Sequence, residues 1–276
     1  MNDIGTYEEL EFPIFRVPTI DTLDQGLKKH HVPFLFEVDV TEGRKYLHEF
    51  KAKTGEGISF TGWIMKCIAQ AVNDHKHIHA LRKGHRKLIL FDDVDISIVV
   101  ERFVVQSDRG AETLPMPYVV RKANEKSVRE IHNEIRGAQE APLEKNEVQI
   151  GAQSNVHAAR LFAMMPRFAR DLILWRRLAN DPFLVKKTMG TVVVTSIGNI
   201  GKGSGYGWAI PIGIHPLIIA LGSIARKPGV VGDTIEIREY LSTTVLFDHD
   251  VIDGAPVARF VQRLKELLET CFGLSE

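Results

Sequence analysis

Residues 247–260 read FDHDVIDGAPVARF, a histidine, three residues and then Asp-Gly, following an apolar run, STTVLF, that has the look of a buried strand. His249 is the residue there that can do chemistry. An imidazole with an ordinary pKa of about 6.5 is largely neutral at neutral pH, so it can accept a proton and return it. Acids surround it: Asp248 and Asp250 are its neighbours and Asp253 lies four residues on. The pattern is weak on its own, because so short a motif arises by chance and Asp-Gly is also a plain turn signal. Downstream, APVARFVQRLKELLE carries apolar residues at helical spacing, so the histidine stands where a strand hands over to a helix.

The elements that must position this histidine belong to a chain of ordinary globular composition. Its 276 residues are 44% hydrophobic and 25% charged, long enough to bury a substantial core. Lys+Arg and Asp+Glu balance at 35 each, which gives no global field toward nucleic acid or an anionic membrane. Cys67 and Cys271 are far apart and lack metal-ligand spacing, which argues against a disulfide framework and a zinc site. The N-terminus MNDIGTYEELEFPIF has acids where a signal peptide needs positive charge, and no run reaches the roughly 18 apolar residues of a membrane span. A cytoplasmic protein without metal, nucleic acid or stable membrane insertion is expected.

Along the chain, residues 19–31 read as a short helix leading into VPFLFEVDVT (32–41), whose alternation predicts a strand. A helix follows over 44–53, and SFTGWIMKCIAQAVNDH (59–75) predicts a buried helix with a Ser/Thr start. LILFDDVDISIVVER (88–102) resembles paired strands, MPYVVR (116–121) another strand, and 123–141 an amphipathic helix with Ser127 and Glu130 near its start. The segment VHAARLFAMMPRFARDLILWRRLANDPFLV mixes Arg160, Arg167, Arg170, Arg176 and Arg177 with large apolar residues. Three readings of it compete: a packed helix pair broken at Pro166 with arginines snorkelling to solvent, the wall of a wider substrate pocket, and a membrane-surface helix. GNIGKGSGYG is rich in glycine but lacks both G-x-x-x-x-G-K-[ST] and a following helix, so it is not a phosphate loop. Helices and strands interleave without an obvious break, which predicts one α/β domain.

Taken together, TVVVTSIGNIG, PIGIHPLIIALGSIARKP and FDHDVIDGAPVARFVQRLKELLE resemble the catalytic domain of the 2-oxoacid dehydrogenase dihydrolipoyl acyltransferases. HVPFLFEVDVT, SFTGWIMKCIAQAV and VVRKANEKSVREIHNEI fall upstream in the family's order, so the resemblance covers about residues 12–270. It implies a chloramphenicol acetyltransferase-like fold, a mixed sheet flanked by helices, over a single domain 1–276. An N-terminal arm covers about 1–31 and a basic apolar insert about 151–189. Two departures stand out: Asp250 follows His249 where the family usually carries arginine, and 151–189 is longer, more basic and more apolar than the family's usual linker. The resemblance starts without a swinging lipoyl domain or a subunit-binding domain before it, so a lipoyl group is expected from another protein.

What the resemblance implies for chemistry is thiol-to-thiol acyl transfer with coenzyme A as substrate. Such transfer needs a base for the S–H proton, because the thiolate is the nucleophile, and a donor for the oxygen that becomes negative. His249 is then the base. Thr195, in Thr195-Ser196-Ile197-Gly198, is the donor, with Ser196 as its backup; a strand threonine chosen for β propensity is the plain alternative. Asp253 resembles the family's acid, expected to hold the loop in shape with Arg16 of the arm as its partner, and Gly254 is expected to let the chain turn closely into the helix. Of the remaining histidines, read as surface or packing residues, only His31 falls near the family's active-site channel. The family's sites lie between subunits, which implies a homotrimer, with larger assemblies open. Alternatives are an acyltransferase for a small-molecule amine or alcohol and a catalytically idle trimeric scaffold. A carrier-protein condensation domain, with its doubled histidine and roughly twofold length, fits poorly.

Overall fold

Branched apolar residues mark the strands that become central: Val192, Val194, Leu217, Ile219 and Val245 are all buried. The computed structural model describes residues 5–13, 16–106, 110–140, 161–196 and 206–274, the side chains of 102–115 excepted. In chain order the elements are Val17–Gly26 (α1), His31–Asp39 (β1), Thr41–Thr54 (α2), Phe60–Asp74 (α3), Leu81–Lys83 (β2), Lys87–Ile89 (β3), Ile96–Gln106 (β4), Gly110–Val120 (β5) and Val128–Glu140 (α4). Arg167–Arg170 (α5), Arg176–Asn180 (α6), Pro182–Met189 (α7), Val192–Ser196 (β6), Leu217–Val231 (β7), Thr234–Asp248 (β8) and Gly254–Glu269 (α8) complete them.

Six strands form one mixed sheet in the order β1-β8-β7-β6-β4-β5. β1 and β7 flank β8 antiparallel, β6 lies parallel to both β7 and β4, and β5 closes the far edge antiparallel to β4. The main core fills one face, where α3 and α8 pack with α2 and α4. α8 contributes Val257, Phe260, Val261, Leu264, Leu267 and Leu268, an apolar stripe at helical spacing. α3 is buried nearly all round, and Ser59 caps it by accepting the Gly62 N–H at 3.2 Å. α2 approaches it closely because residue 43 is glycine: a Cβ there would stand 2.1 Å from the Trp63 ring. At α4, Ser127 Oγ accepts the Glu130 N–H while the Glu130 carboxylate accepts the Ser127 N–H, a reciprocal cap.

The expected α/β architecture is therefore present, with a correction in strand pairing. Residues 88–102 do not pair with one another. β3 pairs with β2, whereas β4 pairs with β5. The acids between them redirect the chain: buried Asp95 accepts the Lys122 N–H at 2.9 Å and is held by Arg121 and Lys186, each at 3.0 Å. That ties the start of β4 to the end of β5 and to α7.

The segment 161–189 breaks at Pro166, as its sequence suggests, and again at Asp181, whose carboxylate accepts the Phe183 and Leu184 N–H groups ahead of α7. A π-helical turn, Asp171–Trp175, joins α5 to α6. Arg167, Arg176 and Arg177 are exposed, as snorkelling predicts, but Arg170 and the apolar stripe depart from the packed-pair expectation. Arg170 does not snorkel: it is 8% exposed and makes a two-pronged bond to Asp21 of α1, Nε to Oδ2 at 2.6 Å and Nη2 to Oδ1 at 2.8 Å. The Trp175 indole also donates to Asp21. Conversely Leu161, Met164, Phe168 and Leu172, at helical spacing, face solvent, with Phe168 76% exposed. The inward side is set by the acid waiting on α1, so an arginine goes in and the apolar stripe stays out. Trp175, Leu178 and Val185 join Leu81 in a second, smaller core. Arg160 and the rest of 151–160 lie outside the described residues.

Candidate active site

The final strand delivers His249 to an exposed turn whose backbone is fixed on both sides. The Asp248 N–H donates to Pro216 O at 3.0 Å and the His249 N–H to His30 O at 3.0 Å. The Asp248 carbonyl accepts the Val251 and Ile252 N–H groups. The imidazole leans on the Phe247 ring, centroids 5.7 Å apart. Asp248 itself is 1% exposed, and its carboxylate takes Lys29 Nζ at 2.7 Å and the Asp250 N–H at 3.2 Å. Asp250 accepts from His30 Nδ1 at 2.9 Å, and that bond, despite a small opposing effect of burial, holds its carboxyl below the usual carboxylate range.

A cavity opens here, lined by Lys29, His30, His31, Val32, His249 and Asp250. His31 donates from Nε2 to the His215 carbonyl at 2.8 Å, and His215 in turn donates to Met189 O at 3.1 Å. Burial lowers the pKa of both, His215 to about 4, despite these bonds. Both rings are therefore neutral at neutral pH. The contrast with His249 is one of exposure: His215 is buried and His31 half-buried, each donating to a backbone carbonyl, whereas His249 stands in the open on a fixed backbone.

The other sequence-selected residues are placed less simply. Thr195 is half-buried and Ser196 exposed. Val192 and Val194 belong to the helix-side core, so by strand alternation Thr195 points to the opposite face, in a row with Ala220 of β7 and Thr244 of β8. His249 lies beyond Thr244 at the end of β8. Two strand spacings across and five residues along put Thr195 and His249 about 20 Å apart in one chain. The structure does not bring them together. Ile197 and Gly198, with the glycine-rich stretch to 205, lie outside the described residues.

The expected Arg16–Asp253 pair is not formed. Both are exposed, and neither side chain has a partner among the described residues. The cause is α1, whose far end leads into β1 beside His249, which leaves Arg16 a full helix length, about 15 Å, away. Asp253 starts α8 from an extended backbone, φ −90°, ψ 168°, without a side-chain cap bond. Gly254 is not needed for a close turn: its φ is not left-handed and a Cβ there would meet nothing within 4 Å. The turn is made upstream by the Asp248 carbonyl. Lys29 and His30, by contrast, escaped sequence reasoning. KKHH carries no spacing signal, and only the β1–β8 register, His31 opposite Asp248, brings it to the site. Burial pushes the Cys67 thiol up, which removes it as a thiolate nucleophile. Among the described residues no helix is long and apolar enough to cross a membrane.

Comparison with known proteins gives this arrangement its context. The chain is 25% identical over 270 residues to the lipoamide acyltransferase component of the branched-chain alpha-keto acid dehydrogenase complex of Bacillus subtilis, covering 94% of this chain and 52% of that protein. It is 26% identical over 244 residues to the dihydrolipoyllysine-residue acetyltransferase component of the pyruvate dehydrogenase complex of Staphylococcus epidermidis, covering 86% and 45%. The chain thus spans about half the length of these curated relatives. In fold it is similar to the dihydrolipoamide acetyltransferase of Azotobacter vinelandii, with a TM-score of 0.68 at 19% identity over 100% of this chain and 96% of that one. It also resembles the truncated catalytic core of the 2-oxoacid dehydrogenase multienzyme complex of Thermoplasma acidophilum, with a TM-score of 0.62 at 23% identity over 96% and 100%. Residues 6–149 and 185–274 match the family model, which passes over 150–184, and the chain belongs to the 2-oxoacid dehydrogenases acyltransferase (catalytic domain) family.

Proposed function

We propose that the chain catalyses acyl transfer between coenzyme A and a dihydrolipoyl thiol carried by another protein, with His249 of one copy and Thr195 of a second copy completing each site. The placement of His249 carries this reading: an exposed imidazole on a turn fixed by backbone bonds, at a cavity, in a member of an acyltransferase family. His249 takes the thiol proton, and the thiolate attacks the thioester carbonyl carbon and forms the new C–S bond. The Thr195 hydroxyl donates to the oxygen that becomes negative. Collapse breaks the old C–S bond, and the imidazolium returns its proton to the departing thiolate. The distance of about 20 Å between the two groups in one chain supports a shared site, because base and donor must meet at one carbonyl. Three copies around one axis, each giving His249 to one neighbour and taking Thr195 from the other, close such a contact.

Mixing tests both halves. His249→Ala and Thr195→Ala chains, each nearly inactive alone, are unfolded, combined in equal amounts and refolded. Random assortment in a closed ring returns about a quarter of wild-type transfer from acyl-CoA to dihydrolipoamide. Mixed chains that assemble yet stay at the level of the two parents rule out the shared site. Wild-type protein that transfers no acyl group from any acyl-CoA to dihydrolipoamide or a lipoyl domain defeats the acyltransferase reading.

A further inference from the structure

We propose that Lys29 is a positioning residue for His249, acting through Asp248. This deepens the reading of His249 as the base and rests on it. The Asp248 carboxylate reaches both sides of the histidine: one oxygen takes Lys29 Nζ at 2.7 Å and the other takes the N–H of Asp250, the residue after His249. The Asp248 carbonyl holds the next two amides, and His30, adjacent to Lys29, accepts the N–H of His249. One acid therefore shapes the whole turn, and one ammonium balances that acid. Lys28, the neighbouring cation, points elsewhere, its Nζ donating to Gln25 Oε1 at 3.0 Å.

The pair has an electrostatic role as well as a geometric one. Asp248 is 1% exposed, whereas the Lys29 side chain is 34% exposed, so the anion depends on the cation and the cation far less on the anion. Without Lys29 a buried carboxylate beside the imidazole has no balancing charge, and it stabilises the imidazolium. The other charged or titratable groups facing the turn are His30, bonded to Asp250; Arg82, whose charge with that of Lys29 acts on Asp250; and His31, bonded to the His215 carbonyl and also facing Asp248 and Lys29. A base held as imidazolium cannot take the thiol proton, so balancing Asp248 serves the transfer as well as the shape of the turn.

The test uses the whole assembled protein with selectively labelled histidine, the His249 resonance being assigned by its loss in His249→Ala. In Lys29→Met the His249 titration moves to higher pH. In Lys29→Met/Asp248→Asn it returns toward wild type, and in Lys29→Arg it stays. Transfer from acyl-CoA to dihydrolipoamide falls about 10- to 100-fold in kcat for Lys29→Met with KM little changed, and Lys29→Arg restores it. The acid limb of the pH–rate profile moves up with the titration. An unmoved His249 titration in folded Lys29→Met overturns the proposal, as does a loss of kcat that Lys29→Arg fails to rescue. Because the titration needs no turnover, an inactive wild-type protein counts against the functional reading while the link from Lys29 to His249 is still decided.

Discussion

Asp21 and Asp248 stand at two ends of the region that α1 and β1 share, both nearly sealed from solvent, at 4% and 1% exposed, and each gripped by a cation from far along the chain. Their surroundings differ. Asp21 meets a guanidinium that is itself buried, through two parallel bonds, with an indole N–H besides. Burial alone drives its carboxyl up, but these bonds and the charges of Arg170 and Arg167 outweigh that and hold it below the usual range. Asp248 meets an ammonium one-third open to water and stands beside an exposed imidazole. The first arrangement is closed on itself and can only lock the 161–189 segment to α1. The second sets an exposed imidazole next to the pair, at an open cavity. A buried pair next to nothing titratable is architecture, whereas the same pair next to an open histidine is the support of a site.

The sharpest way to break that contrast is at its open end. His249→Ala should lower acyl transfer roughly 10²–10⁴-fold, the usual worth of a general base, while melting as wild type does. Equal turnover would leave the histidine an ordinary turn residue. At the closed end Arg170→Ala should reverse the pattern: about 3–5 kcal/mol of stability lost in denaturant melts, because Asp21 is left buried and uncompensated, with the His249 titration unchanged. A melting curve like wild type for Arg170→Ala would show that the segment is not held by this bond. Acid sharpens the distinction further. The Asp21 carboxyl titrates below its ordinary value of 3.8, so its stabilisation is complete above that value and lost as pH falls below it. His215 acts earlier. Its folded value of about 4 lies below the ordinary 6.5, so the unfolded chain binds the extra proton and stability declines as pH drops from 6.5 toward 4. In His215→Gln that upper part of the decline should flatten, as read from melting temperature against pH. The smallest effect is expected at Asp253→Ala, where an exposed carboxylate with no partner among the described residues is removed and melting should not change.

How far the sequence speaks follows the range of the forces involved. α3 and α8 were legible because their apolar residues recur at helical spacing, and β1 because its period is two. The reciprocal cap at Ser127 and Glu130 was legible for the same reason, being local. His249 was visible through its neighbours in the chain. Lys29 was not, since its partner lies 219 residues away and only the β1–β8 register joins them. The pairing of residues 88–102 failed likewise, because the buried Asp95 commits β4 to a strand that the local pattern does not name. Arg170 misled in the opposite sense. An arginine on an apolar helix is ordinarily drawn to water, and nothing near it in sequence announces the acid on α1.

The bond that joins Asp21 to Arg170 spans 149 residues, and that separation sets an order of events. During synthesis at ~5–20 residues per second, α1 leaves the ribosome on the order of 10 to 30 s before its arginine exists. Through that interval Asp21 has no guanidinium to enter the interior with, so α1 must wait in water, with Ile20, Leu23 and Leu27 beside it. Closing so long a loop is also slow in refolding from denaturant, since its entropy is lost before its contacts form. The sheet waits longer still, because His31 of β1 takes its register opposite Asp248 of β8. The N-terminal end of the chain, α1 and β1 together, thus finds its partners only once most of the chain has been made, which leaves it exposed for longer than its order in sequence suggests.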